Sequence, residues 1–321
     1  MLGHDEQLTT AENYLSFSCY EAAGKSPLYA ELTSEVAQDP MMLAFLAERP
    51  PAKRQPNLLL AVVRYLYGIQ PDYRSFRSVV LENRDVVGDV LEQRRTQTNE
   101  PGRCAVLLPF LARLPQPLAL LEVGAAAGLC LLADRYGYRY GDCLVGHEEV
   151  VFDCELRGHV PVPRMLPEIV WRAGIDLDPI DVSGEDGVRW LEALVWPGQS
   201  ERSARLHRAI EIASRDPPRI VGDDLLNCLE SVAGEAPSEA TLVVFHTAVL
   251  AYLDPEQRSE FADRVQRLDA QWFSNEGPGV TPGLTKNLPA SPAEPHFLIG
   301  HGSTPVAFCD PHGAWIQPFG L

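Results

Sequence analysis

Apolar positions recur with a helical period throughout the first third of the chain. Ser26 is a suitable N-cap for a helix whose first residue is Pro27, and Gly68 ends another apolar run. No segment before Pro115 shows the alternation that is typical of a half-buried strand. Helices are predicted at 27–37, 40–47, 58–68, 75–95 and 103–114. We therefore predict an α-helical N-terminal region over 1–115 that caps the site and shapes its substrate pocket.

The pattern changes after Pro117. Short runs that are apolar at every position replace the helical period, and such runs fit parallel strands covered on both faces. Strands are predicted at 118–123, 169–176, 219–222, 241–246 and 270–275, with helices at 187–194, 201–214, 225–233 and 255–268. Two further strands around Gly302 fit an antiparallel hairpin. This alternation predicts an α/β domain over 116–321 with a doubly wound, mostly parallel sheet and an insert at 137–168.

The charge distribution disfavours polyanionic partners. The chain carries 27 basic and 44 acidic residues, a formal net charge of −17, and most of the acidic excess lies in 116–321. Phosphate contacts need clustered lysines and arginines, so we expect neither nucleic acid nor an anionic membrane as a partner. A cationic or neutral small-molecule substrate fits better, although the same charge can serve solubility alone.

Cysteine usage and hydropathy indicate a cytoplasmic protein. The longest apolar stretch, 117–133, is interrupted by Glu122, and the N-terminal MLGHDEQ lacks the apolar core of a signal peptide. The seven cysteines are odd in number and contain no Cys-x-x-Cys pair, which favours reduced thiols. We expect no metal site, since four residues of ligand type in the insert match no zinc-finger spacing: Cys143, His147, Cys154 and His159.

The segment LALLEVGAAAGLCLLADRYGY (118–138) is the most informative of the chain. An apolar strand ends in Glu122 and Gly124, turns through alanines that include Ala126, and enters a predicted helix at Gly128. Small residues let a ligand approach the backbone, and a helix N-terminus offers N–H groups to a polar or anionic group. The alternative is that the turn needs glycine for close packing alone.

Two strand ends carry candidate catalytic residues. His246 ends the run TLVVFH, where it could act as a general base; the alternative is a core histidine whose ring is satisfied by other groups. Asn275 and Glu276 end the strand QWFSNE and could hold a substrate amine or hydroxyl in line for reaction. The alternative is that NEGPG is only a turn.

Further polar residues could contact a substrate. The segment RRTQTNEPGR (94–103) presents Gln97, Asn99, Glu100 and Arg103 just before the α/β domain, or it is simply a solvated connection. His312 is a weaker candidate, because Asp-Pro-His-Gly is a natural hairpin turn.

The glycine-rich turn is similar to the first motif of the class I S-adenosylmethionine-dependent methyltransferases. It has the spacing Glu-x-Gly-x-Ala-x-Gly, with Ala126 at the usual middle glycine. Over 116–321 the resemblance implies a Rossmann-like, class I methyltransferase-like fold whose sixth and seventh strands are the terminal hairpin. It further implies that Asp176 holds ribose hydroxyls and Asp223 reaches the adenine amine. The implied cofactor is S-adenosyl-L-methionine, bound by Glu122, Gly124, Ala126, Gly128, Asp176 and Asp223.

The whole chain also resembles the bacterial family called domain of unknown function 2332. The matching segments are QTNEPGR (97–103), LLEVGAAAGLCLLADRY (120–136), CELRG (154–158), WRAGIDLDPIDV (171–182), RWLEALVWPGQ (189–199), VVFHTAVLAYL (243–253), WFSNEGPG (272–279) and DPHGAW (310–315). This second resemblance implies no reaction, since the family name carries none.

Together these patterns predict a methyltransferase that acts on oxygen or nitrogen of a small molecule, with His246 as general base. One alternative is a catalytically silent ligand-sensing or protein-interaction module on the same fold. A second is a cofactor-independent hydrolase that uses His246 and Glu276. The sequence leaves the methyl acceptor and the oligomeric state open.

Overall fold

Two compact units make up the chain. The computed structural model describes residues 4–284 and 288–319. One unit comprises Met1–Thr98 with Gly184–Ala204, and the other comprises Asn99–Ser183 with Arg205–Leu321. These bounds differ from the predicted division into 1–115 and 116–321.

Aromatic packing explains why 184–204 belongs to the helical unit. Trp190 is completely buried and meets the ring of Tyr65 edge-on, with 5.6 Å between centroids. The guanidinium carbon of Arg94 lies 5.2 Å from the Tyr65 ring centroid and 5.3 Å from that of Trp190. Helical periodicity shows which face of a helix is buried but not against which neighbour, so this assignment needed the tertiary structure.

The helical unit contains seven α-helices among its described residues. They are α1 (His4–Ser16), α2 (Pro27–Val36), α3 (Pro40–Ala47), α4 (Pro56–Tyr67), α5 (Tyr73–Glu82), α6 (Arg84–Gln93) and α8 (Glu185–Ala193). The helix predicted at 75–95 is two helices, since Asn83 leaves the helical region at φ −121° and ψ 36°. A π-helical turn (Phe17–Ala22) and a 3-10 turn (Pro51–Lys53), neither of them predicted, complete this unit.

The second unit is built on a nine-stranded sheet. Its strands are β1 (Leu118–Val123), β5 (Glu155–Leu156), β6 (Ile169–Asp176), β7 (Arg219–Gly222), β8 (Thr241–Thr247), β9 (Gln271–Glu276), β10 (Phe297–His301), β11 (Thr304–Cys309) and β12 (Trp315–Pro318). The order is β5-β12-β11-β10-β9-β8-β1-β6-β7. The five strands from β7 to β9 are parallel and follow the doubly wound order 3-2-1-4-5. The predicted α/β class with a mostly parallel core is confirmed.

The C-terminal strands are antiparallel, as predicted. β10 pairs with β9 and with β11, and β11 pairs with β12, so the chain continues the sheet as a meander. The insert at 137–168 supplies the edge strand β5 and a separate three-stranded sheet of β2 (Gly137–Tyr140), β3 (Cys143–Gly146) and β4 (Val151–Asp153). The insert therefore extends the edge of the main sheet.

Helices cover both faces of the sheet. On one face, α10 (Leu225–Ala233) and α11 (Pro255–Gln266) pack on β1, β6, β8 and β9 around residues such as Val244, Phe261 and Trp272. On the other face lies α7 (Cys104–Leu111), which is buried at every position, and Phe110 approaches Phe273 with 6.2 Å between ring centroids. The helix α9 (Ser200–Arg215) precedes β7. None of the helices in the described parts of the chain is long and apolar enough to cross a membrane.

A helix cap provides a test of the fold that leaves the sheet untouched. Asp254 forms a capping box at α11: its carboxylate accepts from Gln257 N at 2.8 Å, and the Gln257 side chain accepts from Asp254 N at 3.1 Å. We expect Asp254→Ala to lower the free energy of unfolding by about 1 kcal/mol in urea denaturation. Asp216→Ala, at a side chain that is 73% exposed, should change it little; equal losses would contradict the role of the box.

Candidate functional site

The carboxyl ends of the parallel strands bring most of the predicted site residues to one edge of the sheet. Val123 of β1 is the register partner of His246 of β8, which in turn pairs with Ser274 of β9. The strand order reverses between β1 and β8, and such a switch point is where doubly wound sheets bind ligands. The turn 124–128, the loop 248–250 and the ends of β6 and β7 surround it.

The glycine-rich turn is tightly closed on the chain itself. Gly124, Ala126 and Gly128 all have positive φ, at 70°, 50° and 71°. Ala126 N donates to Asp176 Oδ2 at 2.8 Å, and Leu129 N donates to Asn99 Oδ1 at 2.7 Å. The predicted α-helix after Gly128 is wrong, because a 3-10 segment (Leu129–Arg135) follows and departs from helical geometry at Leu132. The turn thus lacks the long helix N-terminus that the sequence suggested.

Side chains of the protein occupy the space that the two glycines leave. A Cβ placed on Gly124 would lie 2.2 Å from Val249 Cγ2, and one on Gly128 would lie 2.5 Å from Pro218 Cγ. Both distances are far below van der Waals contact. The glycines therefore permit close packing within the chain, which is the alternative that the sequence left open. Val249 has no signal in the sequence that would have revealed this role.

Asp176 and Asp223 lie at the ends of adjacent strands, as the sequence predicted. The half-buried Asp176 also accepts from Asp178 N at 2.9 Å through Oδ1, and Asp223 N donates to Asp176 O at 3.1 Å. Asp223 is exposed, and its Oδ1 accepts from Asp224 N at 2.7 Å. Leu177, which directly follows Asp176, is 57% exposed. This edge combines carboxylate acceptors with an accessible apolar side chain.

Glu122 is buried among polar neighbours. It is 1% exposed, and its Oε2 has no hydrogen-bond partner among the described residues. Burial, followed by the neighbouring Cys130 and Asp176, raises the pKa of this carboxyl well above its ordinary value, while Arg103 acts in the opposite direction. In its protonated form the Glu122 carboxyl can donate a hydrogen bond.

His246 is a fully buried histidine with both ring nitrogens engaged. Nδ1 lies 2.7 Å from Glu276 Oε1, and Nε2 accepts from Trp272 Nε1 at 3.1 Å. An indole N–H can only donate, so Nε2 is unprotonated and Nδ1 carries the proton that it donates to Glu276. No lone pair is left for a substrate proton in this arrangement. The geometry favours the alternative of a satisfied core histidine.

Asn275 lies on the opposite face of the sheet from His246 and Glu276. It is the register partner of Thr247, one residue beyond His246, and successive residues of a strand point to opposite faces. Its Oδ1 accepts from Cys309 Sγ at 3.2 Å, and its Nδ2 has no partner among the described residues. The three predicted catalytic residues are therefore not brought to one place.

The segment before α7 is buried at the same face as Asn275. Arg103 Nη1 donates to Thr247 O at 3.1 Å and to Thr247 Oγ1 at 3.3 Å, and its Nε donates to Pro311 O at 2.9 Å. Glu100 Oε2 lies 3.8 Å from His312 Nδ1. Asn99, Glu100 and Arg103 are buried, so the segment is no solvated connection.

Gln97 belongs to the helical unit. In the insert, Cys143 is exposed on β3 and Cys154 is buried beside β5. Among the residues that the structure describes, no three or more His, Cys, Asp or Glu side chains are grouped so that they could hold a metal ion.

The contact between Gly124 and Val249 can be tested by substitution. Gly124→Ala should lower the free energy of unfolding by about 2–4 kcal/mol, since it adds overpacking to a strained φ. Gly141→Ala is the matched control, because Gly141 has φ 60° but nothing within 4 Å of the added Cβ. Urea denaturation should show a smaller loss for the control and partial recovery in Gly124→Ala/Val249→Ala. Equal losses at both glycines would contradict the packing role.

Glu122 makes stability depend on pH in a defined direction. Because its folded-state pKa is raised, the folded protein holds a proton that the unfolded chain releases, and the free energy of unfolding falls as pH rises above the ordinary glutamate value. Glu122→Gln removes this dependence, so the variant should gain stability relative to the parent as pH rises above the ordinary glutamate value, as urea denaturation at a series of pH values would show. Parallel pH profiles for the two proteins would contradict the buried neutral acid.

Comparison with known proteins identifies the family. Residues 11–317 match the family model described as an uncharacterized protein conserved in bacteria (DUF2332). Neither the curated proteins nor the solved structures include a match to the chain. Since the family model covers nearly the whole chain, the protein belongs to the DUF2332 family.

Proposed function

We propose that the second unit binds S-adenosylmethionine at the carboxyl edge of its sheet and transfers the methyl group to oxygen or nitrogen of a small molecule. The observation that carries the proposal is the position of Asp176. It ends the second strand of a 3-2-1-4-5 order, beside the switch point, and its carboxylate is bonded to the glycine turn through Ala126 N. That position is the one in which such sheets hold the ribose of a nucleoside ligand.

The residues at this edge fit the adenosine end of the cofactor. Ribose hydroxyls and the adenine amine are donors, and Asp176 and the exposed Asp223 supply carboxylate acceptors at neighbouring strand ends. Leu177, 57% exposed between them, offers an apolar surface for a base. Asp176, Leu177 and Asp223 would therefore hold the adenosine.

The methionine end would lie toward Gly124, where the chain is more closely packed. Val249 stands against Gly124, so this end can enter only if the Val249 side chain moves aside. The loop that carries Val249 contains Ala248, whose φ of 58° is an uncommon conformation for alanine. Such a loop is a reasonable place for a local rearrangement on binding.

The cofactor would supply an electrophilic methyl group, and the chain would position an acceptor that is already nucleophilic. Holding two reactants in line contributes most of the rate in such a transfer. With both nitrogens engaged, His246 is assigned to holding Glu276 and the loop 248–250 in place rather than to proton abstraction. The polar groups that face a substrate are those around Arg103 and Asn275.

Calorimetric titration with S-adenosylmethionine and S-adenosylhomocysteine tests the proposal. We expect micromolar binding by the parent protein and at least a tenfold loss in Asp223→Ala and Asp176→Ala. Asp181→Ala is the control, because this exposed carboxylate accepts hydrogen bonds from Ser183 N and Ser183 Oγ, two residues away. Absence of binding by the parent protein, or unchanged binding by the Asp176 and Asp223 variants, would remove the cofactor from the proposal.

A catalytically silent nucleoside-binding module on the same fold is the second candidate. The engaged ring of His246 and the packing of Val249 on Gly124 favour it. Binding of the cofactor without methyl transfer to any oxygen or nitrogen acceptor would support this candidate. The hydrolase alternative draws no support from the site, since His246 and Glu276 are both buried away from solvent.

A further inference from the structure

Arg103 is a buried cation that forms no ion pair with a described carboxylate. Arg103 is 5% exposed. Its guanidinium donates hydrogen bonds to three uncharged oxygens, Thr247 O, Thr247 Oγ1 and Pro311 O. Its guanidinium carbon also lies 5.8 Å from the centroid of the Phe297 ring, and its charge acts on the buried carboxyl of Glu122. A buried guanidinium without an anion is costly in free energy.

Arg172 shows how the same unit neutralises an arginine when no ligand is needed. Its two terminal nitrogens donate to the two oxygens of Asp134, each at 2.9 Å, in a bidentate pair. Both side chains are partly buried, at 15% and 16% exposure. No described carboxylate pairs in this way with Arg103. The absence of an ion-paired carboxylate, among the described residues, at the more deeply buried arginine points to one supplied from outside the chain.

The groups beside Arg103 are donors without partners. Asn275 is the register neighbour of Thr247, which Arg103 contacts, and Asn275 Nδ2 has no partner among the described residues. Glu122 lies on the same face of the sheet, and its Oε2 is also without a partner. Burial raises the pKa of the Glu122 carboxyl, and in its protonated form this side chain presents a donor and adds no negative charge. Arg103, Asn275 and Glu122 therefore lie at one face of the sheet, where Asn275 Nδ2 is a donor without a partner among the described residues.

We propose that Arg103, Asn275 and Glu122 form a binding site for the carboxylate group of a small-molecule ligand. The planar fork of arginine matches a carboxylate in two parallel hydrogen bonds, and an amide and a neutral acid can donate to the same oxygens. One positive charge neutralises a monoanion, whereas a phosphate dianion would leave excess negative charge in a chain of net charge −17.

Two sources of the carboxylate are consistent with this chemistry. One is the amino-acid end of the proposed cofactor, and this source rests on the proposed function. The other is a carboxylic acid that serves as the substrate, which does not depend on the cofactor. The experiment must therefore separate the carboxylate from the nucleoside.

The first arm compares S-adenosylhomocysteine with 5′-deoxy-5′-methylthioadenosine, which has the same nucleoside thioether but no amino-acid group. If the cofactor supplies the carboxylate, the parent protein should bind the first at least tenfold more tightly in calorimetry. Arg103→Gln should abolish that preference. Arg172→Gln, at the matched buried arginine with an internal partner, should retain it.

The second arm measures thermal unfolding in sodium acetate and sodium benzoate against sodium chloride at the same ionic strength. If a substrate supplies the carboxylate, these anions should raise the melting temperature of the parent protein and of Arg172→Gln. They should not raise that of Arg103→Gln. Arg103→Lys keeps the positive charge but loses the planar guanidinium, so acetate and benzoate should raise its melting temperature less than that of the parent protein. This variant also provides the test if Arg103→Gln does not fold.

The outcomes separate this site from the proposed function. If acetate or benzoate raises the melting temperature only when Arg103 is present, and no nucleoside binds, the carboxylate site is supported and the proposed cofactor is contradicted. Equal binding of the two nucleosides, together with no specific effect of acetate or benzoate, would overturn the carboxylate site. The carboxylate site would also be overturned if binding preference and melting-temperature shifts were identical in the parent protein and in the Arg103 variants.

Discussion

A single carboxylate oxygen, Oε1 of Glu276, organises the strand end at which the candidate site lies. It accepts from His246 Nδ1 at 2.7 Å, Val249 N at 2.8 Å and Leu250 N at 3.0 Å, in a position almost closed to solvent. These three bonds determine the path of the chain as it leaves β8. A buried carboxylate that accepts several hydrogen bonds strongly constrains the backbone that donates them. If one donor moves away, the carboxylate loses a hydrogen bond that water cannot replace, and this costs free energy.

The path of that loop in turn determines the shape of the glycine turn. With its backbone held by Glu276, Val249 is directed onto Gly124, and the turn 124–128 is closed from the other side by Asp176 and Asn99. Three separate segments therefore converge on five small residues. A ligand at the switch point must displace a side chain of this loop, and the strained φ of Ala248 lies at the position where that change would begin.

The alternation of side chains across the sheet divides the polar residues of the strand ends into two groups. His246 and Glu276 face α10 and α11 and complete a core that includes Phe261 and Trp272. The opposite face carries Asn275 and Glu122. It is covered by the segment 99–103, which includes Arg103, and by the turn 310–313. Those last two segments meet so closely that a Cβ on Gly313 would lie 2.0 Å from Gly102 O. This second face carries the unpartnered Asn275 Nδ2 and an arginine that forms no ion pair with a described carboxylate.

The sequence by itself determined the parallel strands of the main sheet and the helices α10 and α11. Its apolar runs mark β1, β6 and β7 with their observed bounds, because a strand buried on both faces has a local signature. It could not predict that α8 joins the helical unit, that a 3-10 segment follows the glycine turn, or that Val249 fills the space over Gly124. Nor could it show that His246 and Asn275 point to opposite faces of the sheet. Each of these depends on contacts between segments far apart in the chain, so only the tertiary structure decided which polar residues meet.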